Sequence, residues 1–214
     1  MSVTSIIPFE ELMKRGGDHA IREAARFFMK TDPVHTTLRE IAKRLDGLGV
    51  PYAVVGGMAL VAHGYQRTTV DVDILVTQQS ADKVREALQG LGYVPPFKGS
   101  RNLRDAATGV RIEFLITGHY PGDGKPKPVV FPDPTTASEL IDGVRYVTLP
   151  KLIELKLASG MTQPARRRDL ADVQDLIRAR GLDASFAASL DASVRPTFLM
   201  LLDELKHDDP HSTG

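Results

Sequence analysis

Two aspartates one residue apart, Asp71 and Asp73, interrupt an otherwise apolar run, Val70-Asp71-Val72-Asp73-Ile74. In an extended strand side chains alternate, so both carboxylates leave one face while Val70, Val72 and Ile74 leave the other. Carboxylates side by side repel unless a divalent cation or a shared proton relieves them, and hard cations such as Mg²⁺ prefer carboxylate oxygen. Glu113, between Ile112 and Phe114, has the same in-and-out setting. If its strand neighbours the first, three acids suit a pair of metal ions about 3.5–4 Å apart, an arrangement for in-line displacement at phosphorus. Upstream, Val55-Gly56-Gly57-Met58 turns a strand straight into a helix. Glycines there offer backbone N–H groups to phosphate. The two halves together describe a triphosphate held by backbone and metal. Plainer readings stand beside each: a tight strand-to-helix turn for Gly-Gly, a solvent-facing edge strand for Asp-x-Asp, an exposed strand residue for Glu113.

A second set lies near the C-terminal end. In Pro150-Lys151-Leu152-Ile153-Glu154-Leu155-Lys156, Lys156 falls three and four residues after Ile153 and Leu152, on the apolar stripe of a helix. Its stem either packs while the ammonium escapes to water, or the ammonium serves a site. Arg166, Arg167, Arg168, Asp169 and Asp172 follow, and the two acids at i and i+3 share a helix face. Beside arginines such acids also make ordinary surface pairs. The histidines, His19, His35, His63, His119, His207 and His211, form no convincing ligand pair, and His63 is the one that falls near the proposed site in sequence.

These residues need a mixed scaffold. Residues 18–30 carry Ile21, Ala24, Ala25 and Phe28 at helical spacing, and a second helix follows Pro33, capped by Asp32 and ending near Gly47 or Gly49. Two amphipathic helices thus precede the first strand. From Tyr52 the pattern alternates: YAVVGG a buried strand, MALVAHG a short helix, TVDVDILV a strand, 80–91 a helix, Tyr93-Val94 a strand start, and VRIEFLI at 110–116 the strongest strand. Residues 117–136, with five prolines and three glycines, make a loop or crossover. A short strand, VRYVTL, then leads into a helix beginning after Pro150, another at about 166–180, and a third within 184–206 that Pro196 should kink or divide. The tail from His207 to Gly214 reads as disordered. The fold class is α/β (α+β), with a small mixed β-sheet flanked by helices. Three regions are expected: N-terminal helices at 1–48, a catalytic core at 49–130, and a helical region at 131–214 that completes the site.

Composition limits the function classes. The 214 residues hold 27 Lys+Arg against 27 Asp+Glu, which argues against non-specific coating of nucleic acid or anionic membrane. With 42% hydrophobic and 25% charged residues the chain reads as globular. The absence of cysteine excludes disulfides, thiolate zinc sites and cysteine nucleophiles, so a metal must be held by oxygen or imidazole. With no basic, apolar leader pattern and no run of 18 apolar residues, a cytoplasmic protein with no membrane partner is expected.

The string GGMALVAHGYQRTTVDVDILV closely resembles the signature of the nucleotidyltransferase superfamily with the DNA polymerase beta-type fold, in its Gly-Gly, Arg-x-Thr-x-Asp-x-Asp form. This variant is typical of AbiEii-type nucleotidyltransferases, known as toxins of abortive-infection and toxin–antitoxin systems. The resemblance covers about residues 50–180. It implies that Gly56 and Gly57 contact nucleotide phosphates, that Asp71, Asp73 and Glu113 ligate Mg²⁺ or Mn²⁺, and that Arg67 and Thr69 occupy the positions before the first acid. Lys156 would direct its ammonium at the triphosphate and stabilise the leaving pyrophosphate. Asp169 would be a base or positioning group, with Arg168 where lysine often stands.

The implied activity is transfer of NMP from NTP to an acceptor. A tRNA or protein would be the acceptor in an AbiEii-like toxin, with a cognate antitoxin as partner. Antibiotic nucleotidyltransferases share the Gly-Gly signature but commonly carry Trp after the second glycine, where this chain has Met58. That weighs against an antibiotic acceptor. A non-catalytic nucleotide-binding module of the same fold is the third reading. Charge is uneven: 18 basic against 17 acidic residues in 1–150, 7 against 4 in 151–180, and 2 against 6 in 181–214. The positive excess thus falls on the helices proposed to face triphosphate.

Overall fold

The computed structural model describes residues 6–14 and 16–207. Its organising element is one seven-stranded mixed sheet, in the order β3-β4-β5-β2-β1-β7-β6. The strands are β1 (Ala53–Val55), β2 (Asp71–Val76), β3 (Tyr93–Val94), β4 (Leu103–Asp105), β5 (Arg111–Ile116), β6 (Ser138–Ile141) and β7 (Val144–Val147). β2 runs antiparallel to β1 and parallel to β5, and β7 runs parallel to β1. The sheet therefore continues past residue 130, because β7 returns to the edge of β1. The alternation expected for the acid-bearing strands is present: Val72, Ile74 and Ile112 are fully buried on one face, while Asp71, Asp73 and Glu113 stand partly exposed on the other.

Eight helices surround this sheet among the described residues: α1 (Phe9–Lys14), α2 (Gly17–Phe28), α3 (Pro33–Gly47), α4 (Gly56–Ala62), α5 (Gln78–Leu88), α6 (Leu149–Gly160), α7 (Arg167–Arg180) and α8 (Arg195–His207). α3 begins as its sequence dictates. The Asp32 side chain accepts from the backbone N–H groups of Val34 and His35 at 2.8 and 3.2 Å, and Pro33 fills the first helical position. No helix among the described residues is long and apolar enough to cross a membrane.

Several local expectations are corrected. Three helices, not two, precede β1, and the short strands β4 and β6 were not anticipated. Gly56 and Gly57 belong to the first turn of α4 rather than to the strand. In α2 the stripe Ile21, Ala24, Ala25, Phe28 does not face the core. Ile21 and Phe28 are 68% and 55% exposed, while Phe27 and Glu23 are buried. The helix is turned so that the Phe27 ring packs edge-on against His35, centroids 4.7 Å apart. Pro196 kinks nothing. It is the second residue of α8, where a backbone N–H would have no intrahelical acceptor, and the break lies upstream, between a 3₁₀ turn at Ala184–Ser189 and α8. His207 is the last residue of α8, and the rest of the tail, 208–214, lies outside the described residues.

Because Pro196 occupies a first-turn position, Pro196→Ala should change the unfolding free energy by less than about 1 kcal/mol. Urea unfolding followed by circular dichroism measures this. A loss several times larger would mean that the ring has a packing role the helix start does not explain.

Candidate active site

The register of β2 on β5 builds the floor of the site. Asp71 lies opposite Arg111 and Asp73 opposite Glu113, all four on the same face. Above them is a cavity of about 450 Å³ whose lining includes Gly56, Asp71, Asp73, Arg111 and Glu113. α6 supplies one wall through Leu152, Leu155, Lys156 and Ser159, and Arg166 and Asp169 close the rim. The proline- and glycine-rich loop adds Tyr120, Pro121 and Phe131 to the lining and abuts the end of α6 at Gly122. That loop is pinned at its base, where Gly118 N–H donates to Phe131 O at 2.8 Å and Phe131 N–H to His119 O at 2.9 Å. Lys127 ties its tip by donating to the Pro121 carbonyl at 2.8 Å and to Asp123 at 2.7 Å.

Gly56 and Gly57 have a steric duty that the motif alone did not reveal. A Cβ on Gly56, whose φ is +61°, would stand 1.9 Å from Asp73 Oδ2. A Cβ on Gly57 would meet the Thr69 side chain at 2.7 Å. The pair is therefore bare because the acid strand and the segment leading into it press against the start of α4. Thr69 in turn orients the first acid, donating from Oγ1 to Asp71 Oδ1 at 2.9 Å. Gly57, Thr69 and Arg67 do not line the cavity; Gly56 does.

On the floor one guanidinium, Arg111, faces three carboxylates. Burial, then the carboxylates of Asp71 and Glu113, push the Asp73 carboxyl up to about 8. Arg111 Nη2 donates to Asp71 Oδ2 at 3.0 Å and pairs with Glu113 Oε2 at 3.3 Å. Burial disfavours the charged guanidinium, but the hydrogen bond to Asp71 and the surrounding acids hold its pKa above the ordinary value. Sequence reasoning missed Arg111. Its signal was there, since Arg111 and Glu113 are two apart in an alternating strand and must share a face.

Lys156, only 14% exposed, neither snorkels nor stands free. It donates to Asp169 Oδ1 at 2.7 Å and Asp172 Oδ2 at 2.8 Å. Asp169 also accepts from Ser159 Oγ at 2.6 Å, and buried Asp172 accepts from Arg67 Nη1 on both oxygens, at 2.7 and 2.8 Å. The two acids expected to share a helix face thus do so, toward Lys156. Arg67 works from outside the cavity, tying the segment before β2 to α7. Arg166, Arg167 and Arg168 are exposed. His63 is turned away, its Nε2 2.8 Å from the Val147 carbonyl oxygen, and His35 pairs with Asp32.

The donor set suits a hard divalent cation: three carboxylates meet on one cavity floor, and a protein cation already bridges two of them. Among the described residues no three acidic or imidazole groups stand as a ready-made ligand set. Asp71 and Glu113 are paired with Arg111 instead.

Comparison with known proteins fits this geometry. A family model described as aminoglycoside-2''-adenylyltransferase matches residues 37–119, less than half of the chain. The solution structure of the antibiotic-resistance factor ANT(2'')-Ia is similar at a TM-score of 0.51 and 15% identity, over 80% of this chain and 96% of that one. The crystal structure of ANT(2'')-Ia in complex with adenylyl-2''-tobramycin gives a TM-score of 0.51 and 13% identity, over 77% and 96%. A nucleotidyltransferase-like protein from Paracoccidioides brasiliensis gives 0.48 and 18%, over 82% and 88%. No curated protein sequence matches. The fold is that of the nucleotidyltransferases, as expected. Met58 is buried in the core at 2% exposure and does not line the cavity.

Asp172 is 3% exposed and faces two cations. Asp172→Ala leaves Arg67 and Lys156 without it and should cost about 3–5 kcal/mol, measured by urea unfolding. A loss below about 1 kcal/mol would show that the network is dispensable to the fold.

Proposed function

We propose that this protein transfers a nucleoside monophosphate from a nucleoside triphosphate to an acceptor hydroxyl, with release of pyrophosphate, in a reaction that depends on Mg²⁺ or Mn²⁺. The observation that carries this reading is the meeting of Asp71, Asp73 and Glu113 on the floor of one cavity, by strand register. These three residues would hold the cation. When bound, it supplies charge neutralisation at the phosphoryl oxygens and lowers the pKa of an attacking oxygen.

The chain's own groups then have distinct tasks. Gly56, bare because Asp73 presses on it, brings the first turn of α4 to the cavity beside the acids. Glu113, if the acceptor oxygen comes within reach, takes its proton. Asp169 already accepts a hydroxyl hydrogen from Ser159, so it is equipped to bind an acceptor hydroxyl at the rim. Lys156 holds Asp169 in place and contributes positive charge on the side where pyrophosphate leaves. Arg67 and Thr69 are positioning residues, acting through Asp172 and Asp71.

For the acceptor, the partial match to the aminoglycoside-2''-adenylyltransferase model supports a small hydroxyl-bearing molecule of the aminoglycoside kind. The exposed Arg166, Arg167 and Arg168 at and beside the cavity rim favour a second reading, an anionic acceptor such as tRNA in an AbiEii-like toxin, with an antitoxin as partner.

Asp71→Asn and Asp73→Asn should each lower transfer of label from radioactive NTP by at least about a hundredfold with little change in melting temperature. Aminoglycosides, total RNA and total protein are assayed in parallel as acceptors. Full activity in both variants would overturn the reading, and NTP binding without pyrophosphate release by the wild-type protein would make it a binding module.

A further inference from the structure

Arg111 sits where the proposed chemistry needs a metal. Its Nη2 bridges Asp71 and Glu113 at 3.0 and 3.3 Å, and the side chain is 40% exposed along the open cavity. Of the other cations, Lys156 is committed to Asp169 and Asp172 and Arg67 to Asp172, while Arg166 stands exposed at the rim. Asp73, opposite Glu113, receives no hydrogen bond from any described residue, so one carboxylate of the three is left open.

We propose that Arg111 is a built-in competitor of the divalent cation, and that its guanidinium must leave Asp71 and Glu113 before the metal is fully held. This rests on the metal-dependent reading above. A guanidinium is planar and forked, so one nitrogen can serve two carboxylates, yet it binds them more weakly than a divalent ion does. In the empty site it neutralises acids that would otherwise repel each other. Once displaced, it stays beside the cavity as a free positive group able to pair with nucleotide phosphate. Metal and triphosphate therefore assist one another: the anion stabilises the displaced arginine, and the displaced arginine exposes the metal ligands. The metal alone is held weakly.

The test is Mn²⁺ binding to the nucleotide-free protein, followed by the electron paramagnetic resonance signal of free Mn²⁺. Arg111→Gln and Arg111→Met both remove the charge, and thermal melting checks that each is folded. Removing one positive charge a few ångströms from the metal should tighten Mn²⁺ binding by at least about tenfold. Arg111→Lys, which keeps the charge, should tighten it far less. A non-hydrolysable NTP analogue should raise Mn²⁺ affinity strongly in the wild type and weakly in the neutral variants. Unchanged or weaker Mn²⁺ binding in both neutral variants would overturn the inference while leaving metal dependence intact. If neither wild type nor variants bind Mn²⁺ at millimolar concentration, with or without the NTP analogue, the metal-dependent reading fails, and the inference with it.

Discussion

In a parallel strand pair, residues opposite one another stand on the same face about 5 Å apart, so the register of β2 on β5 puts Asp71, Asp73, Glu113 and Arg111 into a single square. Two like charges at roughly 5 Å repel by about 3 kcal/mol at an effective dielectric constant of 20. Nothing in the acids themselves would choose that arrangement. What chooses it is the other face: Val72, Ile74 and Ile112 are completely buried there, and each contributes about 1.5–3 kcal/mol by burial. A slip of β5 by one residue would put Ile112 into the cavity and Glu113 into the core. The hydrophobic face thus holds the charged face in a conformation it would otherwise leave, and the raised pKa of Asp73 records the residual cost.

The helical end solves a different problem. α6 and α7 carry positive charge beside an acidic floor. The chain Arg67, Asp172, Lys156, Asp169, Ser159 does this by alternating sign along consecutive contacts of 2.6–2.8 Å. Each buried charge meets its opposite, which is the condition for tolerating charge at low exposure. Because Arg67 reaches this chain from the segment before β2 and Lys156 from α6, the network also clamps the C-terminal helices onto the acid strand. The excess of 7 basic over 4 acidic residues in 151–180 is in part used internally, and the exposed remainder is concentrated in Arg166, Arg167 and Arg168. Neutrality of the whole chain is a sum of separate local balances.

Where a residue's role depends on backbone alternation, the sequence made it legible. Period-two logic puts Asp71 and Asp73 on one face and Glu113 on the polar side of its own strand, and i, i+3 spacing puts Asp169 and Asp172 on one helix face; that the two strands are neighbours is a fact of the fold. Roles that depend on which elements touch were not legible. Nothing local says that Arg67 reaches Asp172, 105 residues away, or that Gly57 is bare because Thr69 crowds it. β4, Leu-Arg-Asp, and β6, Ser-Glu-Leu-Ile, were not legible because they are at least half polar, unlike the equally short but more apolar β1 and β3. The stripe of α2 misled for the opposite reason: its spacing is regular, but a single buried aromatic, Phe27, sets the orientation and turns the regular stripe outward.

Arg111 joins these threads. Three carboxylates within one strand register need a counter-charge, and Arg111 supplies it through Nη2, which lies within 3.0 Å of Asp71 on the neighbouring strand and 3.3 Å of Glu113 on its own. Its position opposite Asp71 and two residues before Glu113 follows from the same register that gathers the acids. The strand pairing that gathers the three carboxylates also sets Arg111 between two of them. In the proposed scheme, the stability of the empty protein and its affinity for a cation are therefore coupled through one side chain.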